Sequence, residues 1–316
     1  MTASPTQRVP ELVHHALIYD SDEAFLAATA GFCLDGLAAG DKVLAVTTAA
    51  NIGLLKDGLG QISDGVQFVT AQDWYDTPGR TLAAYNRYVN AHKTHHRRVR
   101  IIGEPVWHGR SPAEEAEWTR YESVINAAFE GSPAWIVCPY DERVLPERVV
   151  SDARRTHPQL LTGDTARDSR VYTDPAAFTH ASDHLPLPLP PAGTHVESTF
   201  DADLGRTRRL VSAWATALGL ADGTAGRLVL AVNEVVVNAV RHGGGHGRIR
   251  LWADHSVIRC DVTDSGRLRA PFPGYLPPDP AADRGHGLWV VRQLCDLLEI
   301  RGGEHGTQVR LHLSRA

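Results

Sequence analysis

The stretch Leu230-Ala-Val-Asn-Glu-Val-Val-Val-Asn-Ala-Val-Arg-His-Gly243 decides how the chain is read. Its valines favour a strand on intrinsic propensity. Its length, and the polar Asn233, Glu234 and Asn238 among the valines, point instead to a buried helix with one polar stripe, over Gly223–His242. On a helix Glu234 and Asn238 are four apart and His242 is eight from Glu234, so the three share a face. A carboxylate, a carboxamide and an imidazole there suit an acid–base group beside an oxygen ligand for Mg2+. An isolated Glu-x-x-x-Asn pair is equally at home on a solvated helix surface, so the neighbouring segments must decide.

Working outward, a helix over Asp203–Leu218 precedes this stretch, and two alternating strands follow it, Arg248–Asp254 and Val257–Thr263. The second ends in Asp261-Val-Thr-Asp-Ser-Gly266. Asp264 can accept a hydrogen bond from an exocyclic amine such as that of adenine, and Gly266 allows close approach of a ligand, although the same residues also make an ordinary turn. A loop rich in proline and glycine, Arg267–Gly285, leads into Arg284-Gly-His-Gly-Leu-Trp-Val-Val291, where Gly285 and Gly287 precede a helix over Leu288–Leu298. Bare backbone N–H groups at such a helix start can cradle phosphate oxygens. Gly306-Thr307 opens a last alternating strand marked by Val309, Leu311 and Leu313, and the Thr307 hydroxyl can reach a nucleobase. This half reads as an α+β two-layer sandwich, with helices on one face of a mixed sheet.

Taken in order, these motifs resemble the ATP-binding fold of the GHKL superfamily, which includes gyrase, histidine kinases and MutL. Within it, Arg209–Gly243 is most similar to the anti-sigma-factor/serine-protein-kinase branch, and the resemblance covers about residues 197–316. The resemblance implies ATP and Mg2+ as cofactors. It makes Glu234 the catalytic base and Asn238 the Mg2+ ligand, with His242 beside them. It has Asp264 read adenine with Gly266 beside it, Gly285 and Gly287 hold phosphates, and Thr307 support the base pocket. It further implies a sigma factor and an anti-sigma antagonist as partners, Ser/Thr phosphorylation of the antagonist, and a homodimer. One position departs from the pattern: Leu268 stands where the fuller Asp-x-Gly-x-Gly motif has its second glycine. That departure keeps open a rival reading, a partner-binding switch with little or no nucleotide binding. A soluble sensor histidine kinase is a third reading. It requires a phosphoacceptor histidine on a dimerisation helix pair, whereas the segment before the domain is a Pro-rich linker followed by only one helix.

The first half alternates strands at His15–Tyr19, Lys42–Thr47, Val66–Thr70, Val99–Gly103 and Ala134–Cys138 with helices at Asp22–Ala39, Gly79–Ala91 and Pro112–Phe129. Such alternation predicts an α/β domain with a mainly parallel sheet covered on both faces. The segments His14-His-Ala-Leu-Ile-Tyr-Asp20, Gly103-Glu-Pro-Val-Trp107, Glu122-Ser-Val-Ile-Asn126 and Cys138-Pro-Tyr-Asp141 resemble the MEDS sensory domain, a RecA/KaiC-like module. No GxxxxGK[ST] is present, so ATP hydrolysis is not expected here. Tyr19, Glu104, Trp107, Cys138 and Asp141 fall at or just past strand C-terminal ends, where open α/β sheets bind ligands, and are the candidates for a small-molecule sensory pocket. The alternative is that they cap strands and seal the core. The run His92-Lys-Thr-His-His-Arg-Arg98 reads as a solvated loop, and His14-His15 as a strand lead-in rather than a ligand pair.

Composition limits the rest. The 316 residues suit two domains, here 1–180 and 197–316, joined by a semi-rigid linker over 181–196 that contains His184-Leu-Pro-Leu-Pro-Leu-Pro-Pro-Ala-Gly193. A net charge of −5 argues against direct nucleic-acid or membrane-surface binding. No long apolar run and no signal-peptide core over residues 1–11 are evident, so a cytoplasmic location is expected. The four cysteines, Cys33, Cys138, Cys260 and Cys295, are far apart and read as small buried hydrophobes rather than a zinc site or disulfides.

Overall fold

The computed structural model describes residues 11–183, 186–268, 270–278, 286–303 and 306–315. The chain divides into two compact units, Met1–Pro175 and Ala176–Ala316.

In the first unit the elements run β1 (Val13–Tyr19), α1 (Asp22–Ala38), β2 (Lys42–Thr47), α2 (Ala49–Leu59), β3 (Gln67–Thr70), α3 (Ala71–Trp74), α4 (Pro78–His92), β4 (Val99–Gly103), α5 (Pro112–Ala128), β5 (Ala134–Asp141), α6 (Glu147–Thr156), β6 (Gln159–Thr162) and β7 (Thr165–Asp168). All five expected strands form, in the sheet order β3-β2-β4-β5-β1-β6-β7. Every neighbouring pair is parallel except β6 with β7, as expected for strands joined through helices. Leu17, Val43, Ala45, Ile102 and Val137 face α1 and α2, where Phe25, Phe32, Cys33, Leu55 and Leu59 close one core layer. The opposite sheet face, with Ile101, Ile136 and Cys138, meets Tyr75, Tyr85, Tyr121 and Ile125 of the α3–α5 layer. Serine and threonine caps define the helix starts. Ser111 and Glu114 form a reciprocal capping box at α5, and Thr77 caps α4 ahead of Pro78.

The second unit contains α7 (Pro175–Asp183), β8 (His195–Phe200), α8 (Leu204–Ala217), α9 (Asp222–His242), β9 (Gly247–Ala253), β10 (Val257–Asp264), α10 (Gly287–Leu294), β11 (Leu297–Gly303) and β12 (Gly306–Ser314). The sheet order is β11-β12-β10-β9-β8, and every neighbouring pair is antiparallel. This corrects the expected mixed sheet. It also corrects the helix expected over Leu288–Leu298, since α10 stops at Leu294 and Cys295 turns extended. Leu298 and Ile300 then alternate into the core as β11, a period-2 pattern that a helix would break.

The valine-rich stretch is helical. Leu228, Ala231, Val232, Val235 and Ala239 repeat at helical spacing and are buried against Ile249, Leu251, Cys260, Val262 and Leu311 of the sheet. Each valine costs about 0.5 kcal/mol in helix propensity relative to alanine. Burying one gains about 1.5–3 kcal/mol, so packing overrides the local preference. By length and hydropathy α9 could also cross a bilayer, but here its apolar side is the core of the domain. Part of the Pro-rich stretch packs on the sheet of the second unit. Leu187 is buried, and the Pro188 carbonyl accepts a hydrogen bond from Arg310 Nη2 at 2.7 Å, on the sheet face away from the helices.

Candidate functional site

The site of the second unit is built where α9 ends, β10 ends and α10 begins. Gly243 closes α9, its N–H donating to the Ala239 carbonyl at 2.7 Å. A Cβ on Gly266 would lie 2.5 Å from Gly243 Cα and 2.7 Å from the His242 carbonyl, so the two chain turns meet glycine to glycine. This contact sets the Asp264 carboxylate against the end of α9. Gly266 N donates to Asp264 Oδ1 at 2.6 Å, and that is the one hydrogen bond the carboxylate accepts among the described residues. Burial pushes the Asp264 carboxyl above its ordinary range, and the Gly266 N–H pulls it the other way. Thr307 lies opposite Asp264 in the β10–β12 register, and its hydroxyl donates to the Gly266 carbonyl at 2.9 Å. The Ser265 hydroxyl donates to the Gly243 carbonyl at 3.1 Å.

At the other end of the site, Gly287 opens α10 directly over the acid–amide pair. A Cβ there would stand 3.3 Å from both Glu234 Oε2 and Asn238 Nδ2. Among the described residues no side chain caps α10, and its first N–H groups and the positive end of its dipole lie at this point. Between the two ends lies a cavity of about 550 Å³, a size ordinary for small-ligand sites. Asn238, His242, Asp264, Gly266, Gly287 and Thr307 all line it, and Val235, Leu268, Phe272, Leu276 and Val309 give it an apolar wall. Glu234 reaches it beside Gly287. Gly285 lies outside the described residues. The residue set therefore offers an acceptor on a half-buried carboxylate at one end, an apolar middle, and an acid, an amide and an uncapped helix start at the other. That layout fits a purine nucleotide with its metal-bound phosphates.

Two features of this site were not singled out from the sequence. Arg292 of α10 is buried, donates to the carbonyls of Pro273 (2.9 Å) and Leu298 (3.3 Å), and stacks 3.6 Å from the Tyr275 ring centroid. It thereby pins residues 270–278, which carry the wall residues Phe272 and Leu276, to the helix that starts at the phosphate end. Gly244 and Gly245 take positive φ values after α9 and steer the chain past Ser265 into β9. The Gly243-Gly244-Gly245 run was the available clue.

Of the five sensory candidates of the first unit, Tyr19, Glu104 and Asp141 lie together, Tyr19 opposite Asp141 in the β1–β5 register and its hydroxyl 3.5 Å from Glu104. Glu104 is buried among Thr47, Thr48 N, Asn51 and Tyr19, with Asn51 Nδ2 donating to Glu104 Oε2 at 2.9 Å and to Tyr19 Oη at 3.2 Å. Asp141 pairs with Arg143 at the surface, which holds its carboxyl below the ordinary range. Trp107 packs near Tyr140, ring centroids 6.3 Å apart. Cys138 lies under α5 with His14, Glu122 and His157. His14 is thus more than a strand lead-in, since its ring faces a buried carboxyl and thiol. Burial pushes Glu122 up to about 8 and lowers His14 to about 4.

Residues 13–158 match the family described as MEDS, the MEthanogen/methylotroph, DcmR Sensory domain. Residues 197–313 match the histidine kinase-like ATPase domain. The chain therefore carries a MEDS domain followed by a GHKL-type, histidine kinase-like ATPase domain. No curated protein matches it. Among solved structures it is similar to the RsbU and RsbW domains of Rv1364c from Mycobacterium tuberculosis, at 22% identity over 41% of this chain and 34% of that one, with a TM-score of 0.30. It is also similar to the Acinetobacter baumannii histidine kinase AdeS, at 13% identity over 38% of this chain and 68% of that one, with a TM-score of 0.25. The chain thus spans about a third of the first of these structures.

Proposed function

We propose that the protein is a signal-controlled anti-sigma regulator whose second domain binds Mg-ATP and phosphorylates a serine or threonine of an antagonist protein. The observation that carries this reading is the convergence of Asn238 and Asp264 on one cavity, with Glu234 at its Gly287 end. Asp264 accepts from the exocyclic amine of adenine, and Thr307 holds the Gly266 carbonyl in place beside it. Asn238 offers its amide oxygen to Mg2+, and the N–H groups at the start of α10 take phosphate oxygens. Bound Mg-ATP supplies the phosphoryl group and the charge-neutralising metal. Glu234 orients the incoming hydroxyl and receives its proton on the carboxylate.

Supporting a serine or threonine acceptor rather than a histidine, the one helix between β7 and β8 among the described residues is the nine-residue α7, too short for a dimerisation hairpin. The MEDS domain is the source of control, and the partners are the sigma factor that the domain sequesters and the antagonist that it modifies. A homodimer is expected from the same resemblance. The test is incubation of the full chain and a candidate antagonist with labelled Mg-ATP. Acid-stable label on the antagonist, lost with Glu234→Ala, is the expected result. Acid-labile label on the chain itself would establish the histidine-kinase reading instead. Leu268, in the position of the family's second glycine, is the observation that favours a nucleotide-free switch. It lines the cavity without filling it, which supports nucleotide binding.

A further inference from the structure

We propose that His14, Glu122, Cys138 and His157 of the first domain bind one divalent transition-metal ion of the zinc class. The four residues come from β1, α5, β5 and the end of α6, and all are buried. Their donor atoms lie within 4.8 Å of one another. Cys138 Sγ is 3.5 Å from His14 Nε2, and Glu122 Oε2 is 3.5 Å from His157 Nε2 and 4.0 Å from His14 Nε2. A tetrahedral ion with arms of about 2.0–2.3 Å needs donor separations of about 3.3–3.8 Å, so two of the edges already have that size and the third, at 4.0 Å, is slightly longer.

The hydrogen bonds behind the cluster fix where its lone pairs point. Asn126 Nδ2 donates to the carbonyls of Ser123 (3.1 Å) and Thr156 (2.8 Å), which orients Oδ1 as the acceptor facing His14 Nδ1 at 3.0 Å. His14 therefore carries its proton on Nδ1 and turns a bare Nε2 to the cluster. His157 Nδ1 lies 2.8 Å from the Ala153 carbonyl, which assigns its proton the same way. Outer hydrogen bonds of this kind orient the imidazoles of metal sites.

The result is two imidazole lone pairs, a carboxyl group and a thiol crowded together in the interior. His157 Nε2 finds no hydrogen-bond partner among the described residues, and the Glu122 carboxyl has the Cys138 thiol and the Tyr140 hydroxyl beside it. Two bare imidazole nitrogens beside a buried carboxyl are costly unless protons or a cation sit among them. A divalent cation meets that need and leaves the site neutral, because a carboxylate and a thiolate balance its charge. Thiolate and imidazole donors select Zn2+ and its late first-row neighbours over Mg2+ or Ca2+. This inference is independent of the nucleotide site.

The test uses the untagged full chain, expressed with Co2+ or Zn2+ in the medium because burial slows entry. About one metal ion per folded chain is expected by elemental analysis, with a thiolate-to-cobalt charge-transfer band in the Co2+ form. Cys138→Ser should abolish that band. Asn126→Ala, which removes the orienting partner of His14, should weaken binding roughly 10–100-fold and keeps the test decisive if Cys138→Ser does not fold. Replacing His95 and His96 of the exposed loop by alanine should change neither stoichiometry nor band. A folded chain without metal, a band that survives Cys138→Ser, or metal lost with the loop variant would each overturn the proposal.

Discussion

Replacing Asp264 by asparagine separates what the carboxylate does for the fold from what it does for a ligand. The side chain is half-buried, and burial raises its pKa in the folded state. For a carboxyl group this means that folding favours the protonated form. Any contribution is fully present at low pH and is lost as pH rises through the raised value, so near neutrality the ionised group opposes the fold. An amide keeps an oxygen that can accept from Gly266 N, now 2.6 Å from Asp264 Oδ1, without carrying the charge. Asp264→Asn should therefore leave stability unchanged or raise it by up to about 1 kcal/mol, measured by denaturant unfolding. Binding should move the opposite way. A hydrogen bond to a charged acceptor contributes about 1.5–3 kcal/mol against about 0.5–1.5 for a neutral one, so ATP affinity should fall roughly tenfold. Selectivity should shift as well, because a carboxylate repels the guanine 6-oxo group whereas an amide can donate to it. Competition calorimetry with ATP and GTP reads both effects. An unchanged ATP-to-GTP preference, or marked destabilisation with ATP binding intact, would refute the reasoning.

Other outcomes follow from the same geometry. Glu234→Gln should lower phosphoryl transfer by about 10²–10⁴-fold while ATP affinity stays within roughly threefold, compared by single-turnover labelling and calorimetry. Gly287→Val puts branched carbon where even a Cβ would stand 3.3 Å from Glu234 and Asn238, and should abolish Mg-ATP binding in a chain whose circular dichroism is unchanged. Arg292→Ala removes two hydrogen bonds to carbonyls and the stack on Tyr275. It should cost about 2–4 kcal/mol in denaturant unfolding and open residues 270–278 to limited proteolysis. ATP affinity should weaken as pH falls through the raised Asp264 pKa, since the protonated acid is a weaker, neutral acceptor for the adenine amine. In Asp264→Asn that part of the pH dependence should vanish.

Much of the second domain was legible because its signals are local. Glu234 and Asn238 are spaced for one helix face, Asp264 precedes Gly266 at a strand end, and Gly287 opens a helix, so each element announces its own boundary. In the valine-rich stretch, length and the polar residues pointed to a helix against the strand propensity of the valines, and burial against the sheet explains why it forms. Residues beyond Leu294 were misread because their leucines continue an apolar pattern, and only the alternation through Ile300 reveals β11. Arg292 could not be singled out, since nothing near it in sequence shows that Pro273, Tyr275 and Leu298 surround it. The first domain shows the larger gap. Its strands were readable, but β1 sits between β5 and β6 in the sheet, and that order alone brings His14 to Cys138 and His157. Neighbouring β4 and β5 set Cys138 beside Gly103, but side-chain alternation turns Glu104 to the α2 face and Cys138 to the α5 face, so candidates chosen by their place at strand ends look to opposite sides of the sheet.

The central claim is that the acid–amide pair of α9 and the aspartate ending β10 face one nucleotide cavity. Titration of Mg-ATP into the full chain tests it most directly. Saturable binding of about one nucleotide per chain is expected, lost on omission of Mg2+ in the wild type and insensitive to Mg2+ in Asn238→Ala. No saturable heat at roughly millimolar nucleotide, a concentration at which even about −4 kcal/mol of binding is detectable, would contradict it.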